Sequence, residues 1–285
     1  MDIREAAVIG GGTMGSGIAH VLALSGIKTA LVEADQKALA RALQSIEKNL
    51  DRQASKGTIA PADKAAALSR LTGSLDINGA KTAQIAIEAV PEKADLKKSV
   101  IAKLAAAMSQ EAILATNTSS IPITEIAAAA SRPERVVGMH FMNPVPLMKL
   151  VEIVRGLQTS DAACDAVMEL SRKLGKTPVL SNDFPGFISN RILMPMINEA
   201  CFALMEGVGT REAIDTVMKL GMNHPMGPLE LADYIGLDVC LAIMESLRDG
   251  FGDPKYRPCP LLKKMVAAGK LGKKSGRGFY DYAKP

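Results

Sequence analysis

The sequence has few cysteines, only three histidines and little net charge. Its four cysteines are scattered over 285 residues without a Cys-x-x-Cys pair, so we predict a reducing, cytoplasmic location with neither disulfides nor a metal site. The net charge is only +4, which falls short of the concentrated basic face that nucleic-acid binding needs. The composition, 48% hydrophobic and 22% charged, is typical of a globular protein.

The N-terminus also lacks targeting signals. It begins with acidic residues and leads directly into a strand-like run, unlike a signal peptide. Residues 6–27 carry no charge apart from a possible one on His20, and they are about as long as a membrane span. Six glycines interrupt that run, so it indicates strand, turn and helix, and we expect no membrane partner.

Hydrophobic periodicity divides the chain near residue 183. Residues 1–183 alternate short β-branched runs with Ala/Leu/Lys-rich helical stretches, the pattern of a doubly wound parallel sheet. From residue 184 the sequence is helical, with strand signals nearly absent until Phe279 and Tyr280. We therefore predict a Rossmann-type α/β domain over 1–183 and an all-α domain over 184–285. Strands are predicted near 6–9, 29–33, 85–89, 113–115, 135–139, 150–154 and 178–180, and helices near 13–25, 36–53, 61–70, 94–108 and 161–174.

A glycine-rich turn follows the first predicted strand and opens the first predicted helix. It matches G-x-G-x-x-G through Gly10, Gly11, Gly12, Thr13, Met14 and Gly15. In that motif the first glycine permits the tight turn, the second lets backbone approach a pyrophosphate, and the third lets helix pack on strand. Unpaired amides at the helix N-terminus favour the anion. The turn predicts dinucleotide binding.

Glu33 ends the second predicted strand, 18 residues beyond Gly15. That is close to the spacing at which an acid hydrogen-bonds the adenosine ribose. A carboxylate there would repel a 2′-phosphate, so the sequence favours NAD over NADP. The alternative is that Glu33 only closes a strand, and Asp35 is interpreted as a helix cap.

A histidine and a glutamate form a candidate catalytic pair. His20 lies in the first helix and His224 in a Pro/Gly turn, whereas His140 follows strand 135–139 at its carboxyl end, where open α/β sheets place ligands. Glu152 stands in an apolar strand and needs a partner if buried. The short loop 141–148 could bring the two together, and the carboxylate would then fix the tautomer and orientation of the imidazole. The alternative is an edge-strand Glu152 that faces solvent.

Three segments resemble the L-3-hydroxyacyl-CoA dehydrogenases, most of all the short bacterial members. They are residues 117–122 (NTSSIP), 138–144 (GMHFMNP) and 185–191 (PGFISNR), and the similarity extends to residues 272–280 (GKKSGRGFY). The resemblance implies reversible NAD-dependent oxidation of (S)-3-hydroxyacyl-CoA, with 3-hydroxybutyryl-CoA as the expected substrate, and a homodimer paired through the helical domain.

The resemblance also implies roles for individual residues. His140 would be the general base for oxidation and the acid for reduction, with Glu152 as its orienting partner. Ser119 would hydrogen-bond the substrate oxygen near the nicotinamide, Asn190 would help to hold the substrate, and Asn143 would support the same site. Ser119 could alternatively be a helix cap, as could Ser120.

Further residues are implied to contact the cofactor or coenzyme A. Glu92, Lys97 and Lys274 would contact NAD, although Glu92 and Lys97 also fit ordinary charges at a helix start. Lys56 and Arg52 would meet the coenzyme A phosphates, with a solvated charged face as the alternative for Arg52. Two other functions compete: a β-hydroxyacid dehydrogenase that uses a lysine in the helical domain, and a catalytically silent NAD-binding protein.

Overall fold

A computed structural model of the protein describes residues 1–282, which form two compact units. The first unit is Met1–Phe184, and the second begins at Pro185. Within the described part of the chain, no helix is both long and apolar enough to cross a membrane.

The first unit is built on one sheet, whose strand order over the described residues is β3-β2-β1-β4-β5-β6-β7-β8. From β3 to β6 this is the Rossmann order, and the topological switch point lies between β1 and β4. Consecutive residues of β1, β4, β5 and β6 are buried, so both faces of the central sheet are covered. The strands are β1 (Glu5–Ile9), β2 (Lys28–Val32), β3 (Leu71–Ser74), β4 (Ile85–Glu88), β5 (Ile113–Thr116), β6 (Val136–Phe141), β7 (Leu150–Arg155) and β8 (Thr177–Asn182).

The five helices predicted for the first unit start where the sequence predicts them, because the start signals are local. Asp35 caps α2 by accepting hydrogen bonds from the amides of Lys37 and Ala38, which confirms its interpretation as a cap. The helices are α1 (Thr13–Leu24), α2 (Gln36–Ser55), α3 (Pro61–Ser69), α4 (Ala94–Ala107), α5 (Ile123–Ala127) and α6 (Asp161–Lys173).

The sheet is not parallel throughout, which corrects the predicted pattern. Strand β7 runs antiparallel to β6, and β8 is parallel to β7. The connection over residues 142–149 is too short to contain the crossover helix that a parallel pair needs. The chain therefore turns back on itself, and the antiparallel register sets His140 opposite Glu152.

Besides two 3-10 helices, Ile77–Ala80 and Pro133–Arg135, one strand and one α-helix of the first unit are missing from the sequence-based prediction. Strand β3 has the sequence Leu-Thr-Gly-Ser, whose glycine and polar residues give little strand signal. Helix α5 is only five residues long, too short to show helical periodicity. Each element is defined by its neighbours, β2 for the strand and a cap from Asp183 for the helix.

The second unit is helical over the described residues, and its core is apolar. Buried side chains of α7, α9, α10 and α11 form one cluster. Phe279 and Tyr280 form no strand; nearby, only isolated bridges join Arg277 to Gly272 and to Asp281. The helices are α7 (Ser189–Met205), α8 (Arg211–Thr216), α9 (Pro228–Ile235), α10 (Leu237–Phe251) and α11 (Pro260–Ala267), with a π-helix over Val217–Gly221. The α/β class with a following all-α domain is thus confirmed.

Candidate active site

The glycine-rich turn leaves no room for a side chain at three of its positions, Gly10, Gly11 and Gly15. Gly10 has φ +98°, and a Cβ on it would lie 2.9 Å from the carbonyl oxygen of Ala89. A Cβ on Gly15 would lie 1.7 Å from the carbonyl oxygen of Gly10. Gly12 faces open space and is the N-cap of α1, without a side-chain cap. The turn therefore presents bare backbone and a helix N-terminus to an anionic ligand.

Glu33 lies directly beside this turn, at the end of β2. Its Oε1 accepts a hydrogen bond from the amide of Gly11 at 2.6 Å, and its Oε2 accepts one from the amide of Ala34 at 2.8 Å. The carboxylate borders a recess of about 340 Å³ that Thr13 and Arg41 also line. A fixed acid in a recess at the turn fits the ribose of an adenine dinucleotide.

His140 and Glu152 form a buried hydrogen-bonded pair. His140 Nδ1 lies 2.8 Å from Glu152 Oε2, and the two residues are 8% and 1% exposed. The alternative of a solvent-facing Glu152 is therefore excluded. Because a carboxylate only accepts, the pair assigns the proton to Nδ1 of His140.

The loop that carries Ser119 follows β5 and is connected to the strand of His140. Asn117 Oδ1 accepts a hydrogen bond from the amide of Phe141, the residue after His140, at 2.9 Å. Glu92 Oε1 accepts bonds from the amides of Ser119 and Ser120, at 2.9 and 3.1 Å. The structure thus brings Ser119, Glu92 and the end of β6 together at the carboxyl edge of the sheet.

Lys97 is not a surface charge at a helix start. It is 1% exposed, and its Nζ lies 2.8 Å from Glu88 Oε1 and 3.3 Å from Glu92 Oε2. The ammonium of Lys97 therefore lies inside the first unit. It contacts Glu92, which in turn accepts hydrogen bonds from the Ser119 loop. Burial raises the pKa of Glu92, but the charge of Lys97 and hydrogen bonds from the loop outweigh burial and hold the pKa below its usual value.

Two groups near the site are absent from the sequence-based set. Glu88, the last residue of β4, is fully buried. Like Glu152, it is a single acid in an apolar strand, and this sequence feature could have identified it. Lys176 donates from Nζ to the carbonyl oxygens of Val145 and Met148, at 2.5 and 2.7 Å. These two hydrogen bonds hold the loop that follows β6, and desolvation lowers the pKa of Lys176. No sequence signal distinguishes it from a solvated lysine.

The remaining predicted residues lie in the loop after β6, at the C-terminal end of α2 or in the second unit. Asn143 is exposed in the loop after β6 and precedes a cis peptide bond to Pro144. Arg52 and Lys56 are exposed at the C-terminal end of α2, and Arg52 donates to Asn49 at 2.8 Å.

In the second unit, Asn190 is 8% exposed in the first turn of α7. Lys274 Nζ lies 2.7 Å from Asp238 Oδ2. Among residues 1–282, no group of His, Cys, Asp and Glu could hold a metal ion.

A Rossmann sheet with this turn, an acid beside the turn and a buried His–Glu pair are typical of an NAD-dependent dehydrogenase. Residues 5–184 match the model of the 3-hydroxyacyl-CoA dehydrogenase NAD-binding domain, and residues 186–282 match its C-terminal domain. The chain therefore belongs to the 3-hydroxyacyl-CoA dehydrogenase family. It is an NAD-dependent oxidoreductase that acts on 3-hydroxyacyl-CoA.

Curated relatives and solved structures agree with this family over the full chain. A probable 3-hydroxybutyryl-CoA dehydrogenase of Bacillus subtilis is 54% identical over 99% of this chain and 98% of its own length. A 3-hydroxybutyryl-CoA dehydrogenase of Bradyrhizobium diazoefficiens is 53% identical over 99% and 97%. The crystal structure of (S)-3-hydroxybutyryl-CoA dehydrogenase from Ralstonia eutropha is 49% identical and matches 99% of this chain and 100% of that one with a TM-score of 0.97.

Proposed function

We propose that the protein catalyses reversible oxidation of (S)-3-hydroxybutyryl-CoA to acetoacetyl-CoA. The observation that carries the proposal is the buried pair of His140 and Glu152, with Nδ1 and Oε2 2.8 Å apart. The acyl chain length is inferred from the similar proteins of Bacillus subtilis and Ralstonia eutropha, which are named for the hydroxybutyryl substrate.

The His–Glu pair moves the proton of the reacting hydroxyl. In the oxidative direction His140 takes that proton at Nε2, and in the reductive direction it returns a proton to the carbonyl oxygen. Glu152 accepts the bond from Nδ1–H, holds the ring in one orientation and stabilises the imidazolium. Because Glu152 is 1% exposed, little water competes for this bond.

Ser119 and Asn190 are proposed to hold the substrate oxygen where negative charge develops during reduction. The loop of Ser119 is fixed by hydrogen bonds to Glu92 and by the bond from Asn117 to the strand of His140. Asn190 is 8% exposed on α7 of the second unit, and a buried amide needs polar partners.

The first unit fits NAD at the turn and at Glu33. The close contacts that Cβ atoms would make at Gly10 and Gly15 show that the turn is shaped around bare backbone, and Glu33 offers an acid to the ribose. When bound, NAD supplies the hydride acceptor for oxidation and, once reduced, the hydride donor. We propose further contacts from Gly11, Gly12, Thr13, Met14, Glu92, Lys97, Asn143 and Lys274, with Lys97 acting through Glu92.

The exposed cations of α2 are proposed to bind the phosphates of coenzyme A. Arg52 and Lys56 lie one turn apart at the C-terminal end of this helix, and both are exposed. Arg52 is already oriented by its bond to Asn49.

The domain roles and the assembly are part of the same proposal. We assign NAD binding to residues 1–183, and substrate binding and homodimer formation to residues 184–285. Three exposed apolar side chains lie close together in the sequence of the second unit, at Val217 (57%), Leu220 (82%) and Met222 (62%), and support a protein interface there. Light scattering should give twice the chain mass; the mass of one chain would refute the dimer.

Four free cysteines support a reducing, cytoplasmic location.

The test of function is NADH oxidation by the purified protein with 3-oxoacyl-CoA substrates. Acetoacetyl-CoA should be turned over with a higher kcat/KM than longer 3-oxoacyl-CoAs. Faster turnover of the longer substrates would refute the hydroxybutyryl assignment but leave the class intact. Failure to turn over any of them would refute the proposed function.

A further inference from the structure

A buried ion pair lies beneath the loop that carries Ser119. Glu88 at the end of β4 is 0% exposed and Lys97 on α4 is 1% exposed, with Lys97 Nζ 2.8 Å from Glu88 Oε1. Burying two charges is unfavourable, and replacing such a pair by neutral side chains is often neutral or stabilising. Stability alone therefore does not account for the pair.

The carboxylate of Glu88 is held on both of its oxygens. Oε1 also accepts from the amide of Val90 at 2.6 Å, and Oε2 accepts from Thr116 Oγ1 at 2.6 Å. Thr116 is the last residue of the neighbouring strand β5, from which the Ser119 loop begins. Glu88 is thus fixed relative to the two strands that flank the loop.

Lys97 transmits this fixed position to Glu92. Its Nζ lies 2.8 Å from Glu88, 3.1 Å from the carbonyl oxygen of Val90 and 3.3 Å from Glu92 Oε2. These three contacts match the three donors of an ammonium group. With its three donors used in this way, the ammonium of Lys97 contacts Glu92 in one fixed orientation.

Glu92 uses its other oxygen to hold the loop. Oε1 accepts from Thr118 Oγ1 at 2.5 Å and from the amides of Ser119 and Ser120. The side chain is 37% exposed, so without the charge of Lys97 it could turn away from the loop into water.

We propose that Glu88 is a positioning residue, whose buried carboxylate fixes Lys97 so that the lysine holds Glu92 against the Ser119 loop. The role in catalysis rests on the proposed function, in which Ser119 holds the substrate oxygen. In this proposal the position of the Ser119 loop depends on contacts within the first unit, so it can be tested separately from catalysis.

Glu88→Gln keeps the shape of the side chain and removes its charge. The ammonium of Lys97 is then left with only the half-exposed Glu92, so it either loses its proton or moves toward Glu92. In the first case Glu92 loses its counter-charge, and in the second Lys97 no longer fixes the orientation in which Glu92 Oε1 faces the loop. In both cases Glu92 holds the loop less firmly. Glu88→Gln combined with Lys97→Met removes both charges, which avoids an unpaired buried charge but does not restore the hold on Glu92.

Hydrogen exchange of the Ser119 and Ser120 amides tests the placement without any catalytic readout. In Glu88→Gln and in the double variant these amides should exchange about tenfold faster than in the parent protein. Arg132→Met is the matched control, because Arg132 is another buried cation of the first unit, 3% exposed and bonded to the Ala105 carbonyl. Exchange should be unchanged in that control.

Three results would overturn the positioning role. The first is parent-like exchange in Glu88→Gln, and the second is equally fast exchange in Arg132→Met, which would indicate general loosening. The third is a double variant that regains both stability and slow exchange, because the pair would then serve stability alone.

Kinetics test whether Glu88 acts through Glu92. Glu92→Gln and Glu88→Gln should each lower kcat for acetoacetyl-CoA reduction, and the combined variant should match Glu92→Gln within about twofold. If the two reductions in kcat instead multiply in the combined variant, Glu88 does not act through Glu92, and the proposal is overturned. Absence of turnover in the parent protein would refute the proposed function instead, while the exchange measurement would still decide the positioning of the loop.

Discussion

The carboxylate of Glu33 should determine the preference for NADH over NADPH. Glu33→Gln removes its charge while keeping an acceptor for the amide of Gly11 or Ala34, which the carboxylate binds at 2.6 and 2.8 Å. The geometry of the turn should therefore survive, and the variant isolates the charge.

The size of the effect follows from Coulomb's law. Two unit charges about 4 Å apart repel by about 1 kcal/mol in water and about 4 kcal/mol at an effective dielectric constant of 20. A 2′-phosphate carries close to two charges at neutral pH, and the recess beside Glu33 is open to solvent. We therefore take the repulsion between Glu33 and the 2′-phosphate as about 2 kcal/mol. This energy corresponds to a change of about 30-fold in the ratio of kcat/KM for NADH to kcat/KM for NADPH.

The assay measures kcat/KM for both cofactors with acetoacetyl-CoA. Asp35→Asn is the matched control, since it removes one charge two residues away and asparagine caps α2 as well as aspartate does. Its ratio should stay within about twofold of the parent value. An unchanged ratio in Glu33→Gln, or an equal drop in both variants, would refute the assignment of Glu33 to the ribose.

Three further predictions follow from other parts of the structure. Glu152→Gln should lower kcat by about 100-fold or more with little change in NADH binding, because a neutral amide stabilises the imidazolium poorly; a parent-like kcat would contradict the pairing. The four cysteines are buried, and burial raises the pKa of Cys240 to about 12, so a thiol reagent should label none in the native protein and four after unfolding. The pKa of Glu92 is below its usual value, so its stabilising contribution is present above the unfolded-state pKa and is lost as the pH falls through the folded-state pKa. The gap in free energy of unfolding between the parent protein and Glu92→Gln should therefore shrink between about pH 6 and about pH 3, whereas a constant gap would contradict the shift.

Much of the first unit could be predicted from sequence because its signals are local. The glycine turn, the apolar strands and the cap at Asp35 each depend on neighbouring residues. The pairing of His140 with Glu152 follows from one buried acid and a short loop. The antiparallel direction of β7 follows from the same loop, although the alternating pattern by itself indicates a parallel sheet.

The rest depends on contacts that are distant in sequence. Lys97 has the sequence signature of a helix-start charge, yet it is buried because β4 places Glu88 directly beneath it. Lys176 is buried because two carbonyl groups of the loop after β6 accept its hydrogen bonds. Neither contact is visible without the sheet order and register, which bring these segments together.

In the proposed mechanism His140 exchanges the proton of the reacting oxygen. The most direct test measures kcat for acetoacetyl-CoA reduction and the Kd of NADH for His140→Ala against the parent protein. We predict that kcat falls by about 1,000-fold or more while the Kd of NADH changes by less than about twofold, because the proposed NADH contacts do not include His140. Turnover close to that of the parent protein would contradict this role of His140.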